Sequence, residues 1–369
     1  MRRIVVRNFL ASVSFEIIQI GSWEAEGGRV AEDDSHGNRI GEITMRFFAL
    51  KGTDQLGGAV AQVLGVDLDL HEEREFEDGE HKARPLVSVR GEDVYILHSL
   101  AGEPGASPND KLLRLLFFIA TCRENGAARV TAITPYLACA RKERQTKARD
   151  PVSTRYVAQL FEAVGTDCLV TLDVHNFAAF QNAFRCRTLH LDSGALLQSM
   201  VRELAGAEPI VVFSPDGGGV KRAQLVKERC EAAMSNEVSF GFMEKRRSRG
   251  VVSGDLFAGD VGGKTVFLVD DMISTGGTML RAARACRERD AKQVHAVATH
   301  GLFGKGSEAL FTDPAIGRIV VTDSVVSASK AGAGREAKLQ VLSTAPLIAE
   351  AIKRLHANGS ISELAGMES

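Results

Sequence analysis

Two adjacent carboxylates, Asp270 and Asp271, stand between the apolar run Val266 to Val269 and the small-residue loop Ser274-Thr275-Gly276-Gly277-Thr278. The apolar run suits a strand buried on both faces of a parallel sheet, and Met279 to Arg289 has the spacing of a helix. A ligand binds in such a fold just beyond the carboxyl end of a strand. The loop opens on a helix N-terminus, where free N–H groups and the helix dipole attract an anion. Gly276 and Gly277 let the backbone approach a phosphate, and Thr275 and Thr278 add hydroxyl donors. The acids repel phosphate but suit sugar hydroxyls or a hydrated Mg2+. The stretch therefore reads as a sugar-phosphate cradle.

Further candidates lie elsewhere. Basic residues concentrate at Arg141 to Arg149 and at Glu244 to Arg249, two segments expected to be loops between regular elements. Lys and Arg there can neutralise a polyphosphate and its transition state. His175 and Asp216 each follow an expected strand, LVTLD and IVVF. They could hold one divalent metal, directly or through nucleotide oxygens and water. Gly259 to Thr265 resembles a phosphate-binding P-loop, but Ala258 stands where the first Gly is required and the segment precedes a strand, so it reads as a turn.

The elements that must position these groups follow from periodicity. Strands are expected at Met45 to Leu50, Val94 to Leu97, Arg129 to Pro135 and Ile319 to Thr322, with short strands and an Asp78-Gly79 turn between Arg74 and Ser99. Helices are expected at 53–65, at 110–125 capped by Asn109, and at 345–356. VYILHS with its following helix and strand matches in layout VFLVDDMISTGGT with its own, which implies two related α/β halves. His98-Ser99 stands where the second copy has Asp270-Asp271, so the cradle is expected once per chain. The expected division is 1–44, an extension rich in Gly, Asp and Glu over 24–42 and read as disordered; 45–188 and 189–345, the two α/β domains; and 346–369, a helix and tail.

With 369 residues, 44% apolar and 25% charged, the composition is that of a globular protein, and the net charge of -2 argues against bulk nucleic-acid binding. The six cysteines form no C-x-x-C pair and fit a reducing cytoplasm. The N-terminal apolar patch is interrupted by Glu16 and Gln19, so a secretory signal is not expected, and no apolar run of membrane-spanning length occurs.

Together the motifs resemble those of ribose-phosphate pyrophosphokinases. VFLVDDMISTGGT alone would also fit type I phosphoribosyltransferases. The two are separated by FEDGE at 76–80, VRGEDVYILHS at 89–99, RVTAITPYLACARKERQTKARDPVS at 129–153, TLDVH at 171–175, SPDGGGVKR at 214–222 and Lys245-Arg246-Arg247. The resemblance spans about residues 45–365. It implies two type I phosphoribosyltransferase-like domains, each a mainly parallel sheet flanked by helices. It implies Mg2+-dependent transfer of the diphosphoryl group of ATP to the C1 hydroxyl of ribose 5-phosphate, releasing AMP, in a cytoplasmic homo-oligomer, a hexamer built from dimers, with no nucleic-acid or membrane partner. By motif, Phe76, Asp78 and Glu80 would contact adenine from a neighbouring subunit. Arg141 and His175 would contact ATP, and His175 and Asp216 would lie near its metal. Asp270 and Asp271 would hold the ribose hydroxyls, and Ser274, Thr275, Gly276, Gly277 and Thr278 the 5-phosphate. Lys245 and Arg247 would close over the transferred group. Cys139 and Ser274 depart from the family's usual residues. A silent relative that binds the same ligands is the alternative of a different class.

Overall fold

A computed structural model describes residues 44–235, 237–248, 251–325 and 337–365, with the backbone alone for 245–248 and 251–255. The extension expected over 1–44 lies, save for Thr44, outside the described residues.

The first lobe contains β1 (Met45–Ala49), α1 (Asp54–Leu64), the antiparallel hairpin β2 (His71–Glu75) and β3 (His81–Pro85), β4 (Asp93–Leu97), α2 (Pro108–Glu124), β5 (Arg129–Thr134), α3 (Ser153–Ala163), β6 (Cys168–Leu172), α4 (Phe177–Ala183) and β7 (Arg187–Leu191). Its sheet runs β1-β4-β5-β6-β7, all parallel. Side chains alternate between two covered faces, which is why the strands read as continuous apolar runs. Val94 and Ile96 pack with α2 and α3, whereas Tyr95 and Leu97 pack with α1. The expected domain boundary at 188/189 falls inside β7.

The second lobe contains α5 (Gly194–Ala205), β8 (Ile210–Ser214), α6 (Val220–Ala233), β9 (Val238–Ser248), β10 (Val251–Ala258), β11 (Thr265–Ile273), α7 (Gly277–Arg287), β12 (Gln293–Gly301), α8 (Glu308–Thr312), β13 (Ile319–Thr322) and β14 (Leu339–Leu342). Its sheet order is β10-β9-β8-β11-β12-β13-β14, parallel except for the β9–β10 pair. The five strands β8-β11-β12-β13-β14 repeat the order of β1-β4-β5-β6-β7. In both lobes an antiparallel hairpin is inserted between the first of these strands and the second. Helix α9 (Ala345–His356) returns to the first lobe, where Ile348, Ile352 and Leu355 are buried beside α1. Each such side chain contributes about 1.5–3 kcal/mol of burial.

Two local expectations need correction. The N-cap of α2 is Ser107, not Asn109: the Ser107 hydroxyl accepts from the Asp110 N–H and the Asp110 carboxylate accepts from the Ser107 N–H. This reciprocal box outcompetes an Asn two residues later. The basic run at 244–248 is not a loop but the end of β9, paired with β10 so that Lys245 lies opposite Asp255. Its charges mask a strand that is held on one side by β8 and on the other by β10.

Candidate active site

β11 carries Asp270 and Asp271 inside the strand, which runs on to Ile273 before the chain turns. Backbone N–H groups of Leu302 and Phe303 donate to the Ile273 carbonyl, and that of Gly304 to the Ser274 carbonyl, so the loop after β12 backs the Ser274–Thr278 loop. Gly276 is the N-cap of α7 at φ 79°, and no side chain caps that helix end. Its first N–H groups are therefore left for a ligand. A Cβ at Gly276 would lie 3.2 Å from Leu310. Gly276→Ala is expected to cost about 1–2 kcal/mol from the left-handed backbone alone, read as a lower denaturation midpoint, and to weaken phosphate binding.

The loop after β8 is shaped by Asp216, whose Oδ1 accepts from the N–H groups of Gly218 (2.9 Å) and Gly219 (3.2 Å). A Cβ at Gly219 would meet Ser214 Oγ at 2.9 Å, so a larger residue there would displace that hydroxyl from its bond to the Asp216 carbonyl. From the first lobe, the chain after β6 delivers His175. Its Nδ1 lies 2.7 Å from Asp271 Oδ2. Arg222, in the first turn of α6, places Nη1 3.5 Å from Asp270 Oδ1 and 3.4 Å from Asp271 Oδ1. After β5, Lys142 is held at 2.6 Å by Asp150, which also accepts from the backbone of Thr146 and Lys147. That clamp folds the first basic segment and leaves Arg141 and Arg144 facing the cleft.

These groups line one cavity of about 760 Å3 between the lobes: Arg141, Arg144, His175, Asp216, Arg222, Asp270, Asp271 and the whole Ser274–Thr278 loop. Phe76, Asp78 and Glu80 do not line it. They sit on the exposed turn between β2 and β3, where Phe76 stacks under Arg74 and Asp78 accepts from the Glu80 N–H. The side chains of Lys245 and Arg247 lie outside the described residues. Their strand runs parallel to β8 and continues past its last partner, Phe242, toward the Asp216 turn. A Cβ added at Gly217 would lie 3.4 Å from the Glu244 carboxylate, so the residue before Lys245 sits beside the Asp216 turn.

Electrostatics separates the two acids. Burial, then the neighbouring Asp271, pushes the Asp270 carboxyl up to about 7. Burial also opposes the charge of Asp271, but the His175 hydrogen bond and Arg222 outweigh it and hold that carboxyl well below the usual range. The same bond raises His175. Asp270 thus lacks a full counter-charge, Asp216 has its second oxygen outside the turn, and His175 has Nε2 beyond its bond to Asp271. The carboxylate oxygens suit a hard divalent cation, which His175 would reach through water or a phosphate oxygen, although among the described residues no three ligating side chains converge as a ready cage. Because the folded pKa of Asp270 exceeds its ordinary 3.8, its stabilising contribution is complete below that value and lost as pH rises through about 7. Asp270→Asn is therefore expected to gain thermal stability relative to the ligand-free parent between pH 5 and pH 8. Melting curves that shift in parallel over that interval would count against the assignment.

Comparison with known proteins matches residues 45–165 to the N-terminal domain of ribose phosphate pyrophosphokinase and residues 227–365 to the phosphoribosyl synthetase-associated domain. A ribose-phosphate pyrophosphokinase of Caldanaerobacter subterraneus subsp. tengcongensis is 35% identical over 323 residues, covering 87% of this chain and 98% of the relative. The chain belongs to the ribose-phosphate pyrophosphokinase family. A second such relative, from Clostridium tetani, is 35% identical over 325 residues, 87% of this chain and 97% of its own. The crystal structure of phosphoribosylpyrophosphate synthetase from Mycobacterium smegmatis superimposes with a TM-score of 0.78 at 32% identity, covering 86% of this chain and all of that one. The two-lobed fold is that of the family, and the activity is that of a ribose-phosphate diphosphokinase. Within that frame, Arg222 is the site residue that sequence reasoning passed over. Its signal was present in Lys221-Arg222, in the first turn of the helix that follows the Gly-rich loop.

Proposed function

We infer that this cleft transfers the diphosphoryl group of ATP to D-ribose 5-phosphate, giving 5-phospho-α-D-ribose 1-diphosphate and AMP. The observation that carries the reading is the convergence, in one cavity, of an acid pair and an uncapped phosphate loop from the second lobe with Arg141 and His175 from the first. The Ser274–Thr278 loop takes the 5-phosphate on backbone N–H groups, while Asp270 and Asp271 accept from the ribose hydroxyls and so orient C1. Arg141 and His175 take the ATP phosphates. The C1 oxygen attacks the β-phosphorus, the bond to the α,β-bridging oxygen breaks, AMP departs, and the hydroxyl proton is lost. Lys245 and Arg247 close over the transferred group and stabilise its charge. Such transfers depend on alignment and charge stabilisation rather than covalent help.

Asp216 and His175 would hold Mg2+ together with ATP oxygens and water; bound there, the ion neutralises phosphate charge. Phe76, Asp78 and Glu80 contact adenine in a neighbouring subunit's cleft, which accounts for a turn that stands apart from its own, and the assembly is a homo-oligomer, a hexamer built from dimers. No helix among the described residues is long and apolar enough to cross a membrane, in keeping with a cytoplasmic enzyme. Incubation with ATP, Mg2+ and ribose 5-phosphate tests the reading: AMP is expected. ADP would mark a different kinase, and no turnover a silent relative.

A further inference from the structure

We propose that Thr299 and His300, on β12, are positioning residues that hold the ATP-side histidine against the sugar-side acid pair. β12 lies beside β11 in register, Asp270 opposite Ala298 and Met272 opposite His300, so the two residues neighbour Asp271 in the sheet. Both reach across to the other lobe. The Thr299 hydroxyl donates to Asp173 Oδ2 at 2.5 Å, and His300 Nε2–H donates to the Leu172 carbonyl at 3.1 Å. The far side of the His300 ring is fixed by Ser324 Oγ, 2.8 Å from Nδ1, and the Tyr136 ring packs nearly perpendicular to it, with centroids 5.2 Å apart. Both residues are fully buried. Asp173 is further held by the hydroxyl and N–H of Ser193, and it turns the chain at φ 38°. Two residues on, His175 meets Asp271. A closed ring results: Asp271 to β12 through the sheet, β12 to Leu172 and Asp173 through hydrogen bonds, and then along the backbone to His175 and back to Asp271. The phosphate loop is not a member of this ring: it begins at Ser274, past the end of β11, and its backbone is held by residues 302–304, past the end of β12.

The inference rests on His175 serving ATP. His300→Phe keeps a ring of similar size and removes both hydrogen bonds, whereas His300→Gln retains an N–H donor for Leu172. For His300→Phe the KM for ATP is expected to rise about tenfold, with the dissociation constant of ribose 5-phosphate, titrated without ATP, within about twofold of the parent, and His300→Gln is expected to recover most of the loss. Thr299→Val, nearly isosteric, should show the same split and serves if His300→Phe does not fold. Unchanged ATP kinetics, equal losses for both substrates, or a Gln variant as impaired as Phe would overturn the proposal. His175→Ala, measured in parallel, separates the two readings: normal ATP use there removes His175 from the ATP side and the proposal with it, while a defect in His175→Ala with none in His300→Phe and Thr299→Val removes the positioning role alone.

Discussion

Lys245→Ala lowers kcat about 100- to 1,000-fold and leaves ribose 5-phosphate affinity within about twofold of the parent: this is the result expected of a cation that meets the transferred group only as its charge develops. The backbone supports that placement. β9 overruns the end of β8 in the direction of the Asp216 turn, and the Glu244 side chain sits beside that turn at Gly217. The Ser274–Thr278 loop proposed for ribose 5-phosphate lies between a different strand and helix, β11 and α7, so on this reading sugar-phosphate binding does not depend on Lys245. Single-turnover rates and separate titration of the sugar phosphate check the split. Equal losses in rate and affinity would make Lys245 a ground-state binding residue instead.

Asp271→Ala should weaken ribose 5-phosphate about 10- to 100-fold, because one charge-assisted hydrogen bond to a bound ligand contributes about 1.5–3 kcal/mol. The effect extends beyond the sugar. Asp271 is 2% exposed and anchors both His175 and Arg222. Its removal frees the imidazole and leaves Arg222 facing Asp270 alone. The His175 pKa should then fall, since its largest upward influence is the bond to Asp271. Calorimetric titration of the sugar phosphate and NMR titration of His175 test the two halves independently. Unchanged affinity would remove Asp271 from the sugar site.

The core of the site was legible because its chemistry is dense and local. Val266 to Thr278 carries strand, acids and loop in thirteen residues, and the structure places them as read, except that the acids lie within β11 rather than after it. The repeat was legible for the same reason, since β4-α2-β5 and β11-α7-β12 share spacing. What escaped depends on tertiary partners. β7 and β14 are short, half-polar strands that exist because a neighbouring strand accepts them. β9 was hidden because its end is a run of charges, and charge runs ordinarily mark loops. Arg222 looked like one more surface arginine of a helix, and only the fold brings it to Asp270 and Asp271. The pairing of His175 with Asp271 spans 96 residues and two sheets, and no local pattern encodes it.

The hairpins inserted at the same point of each lobe carry a consequence of their own. One bears Phe76, Asp78 and Glu80 on its turn, and the other bears Lys245 and Arg247 near its tip. Their settings differ, since β2 and β3 form a sheet of their own whereas β9 and β10 extend the main sheet of the second lobe. On the reading proposed here, the hairpin of the second lobe serves its own cleft, and the hairpin of the first lobe reaches a neighbour's. Hairpins at equivalent points thus work in cis for the transfer step and in trans for recognition of the base. Assembly is then a condition of nucleotide recognition, so dilution to single subunits should remove adenine selectivity while the sugar-phosphate cradle, built wholly within one chain, continues to bind.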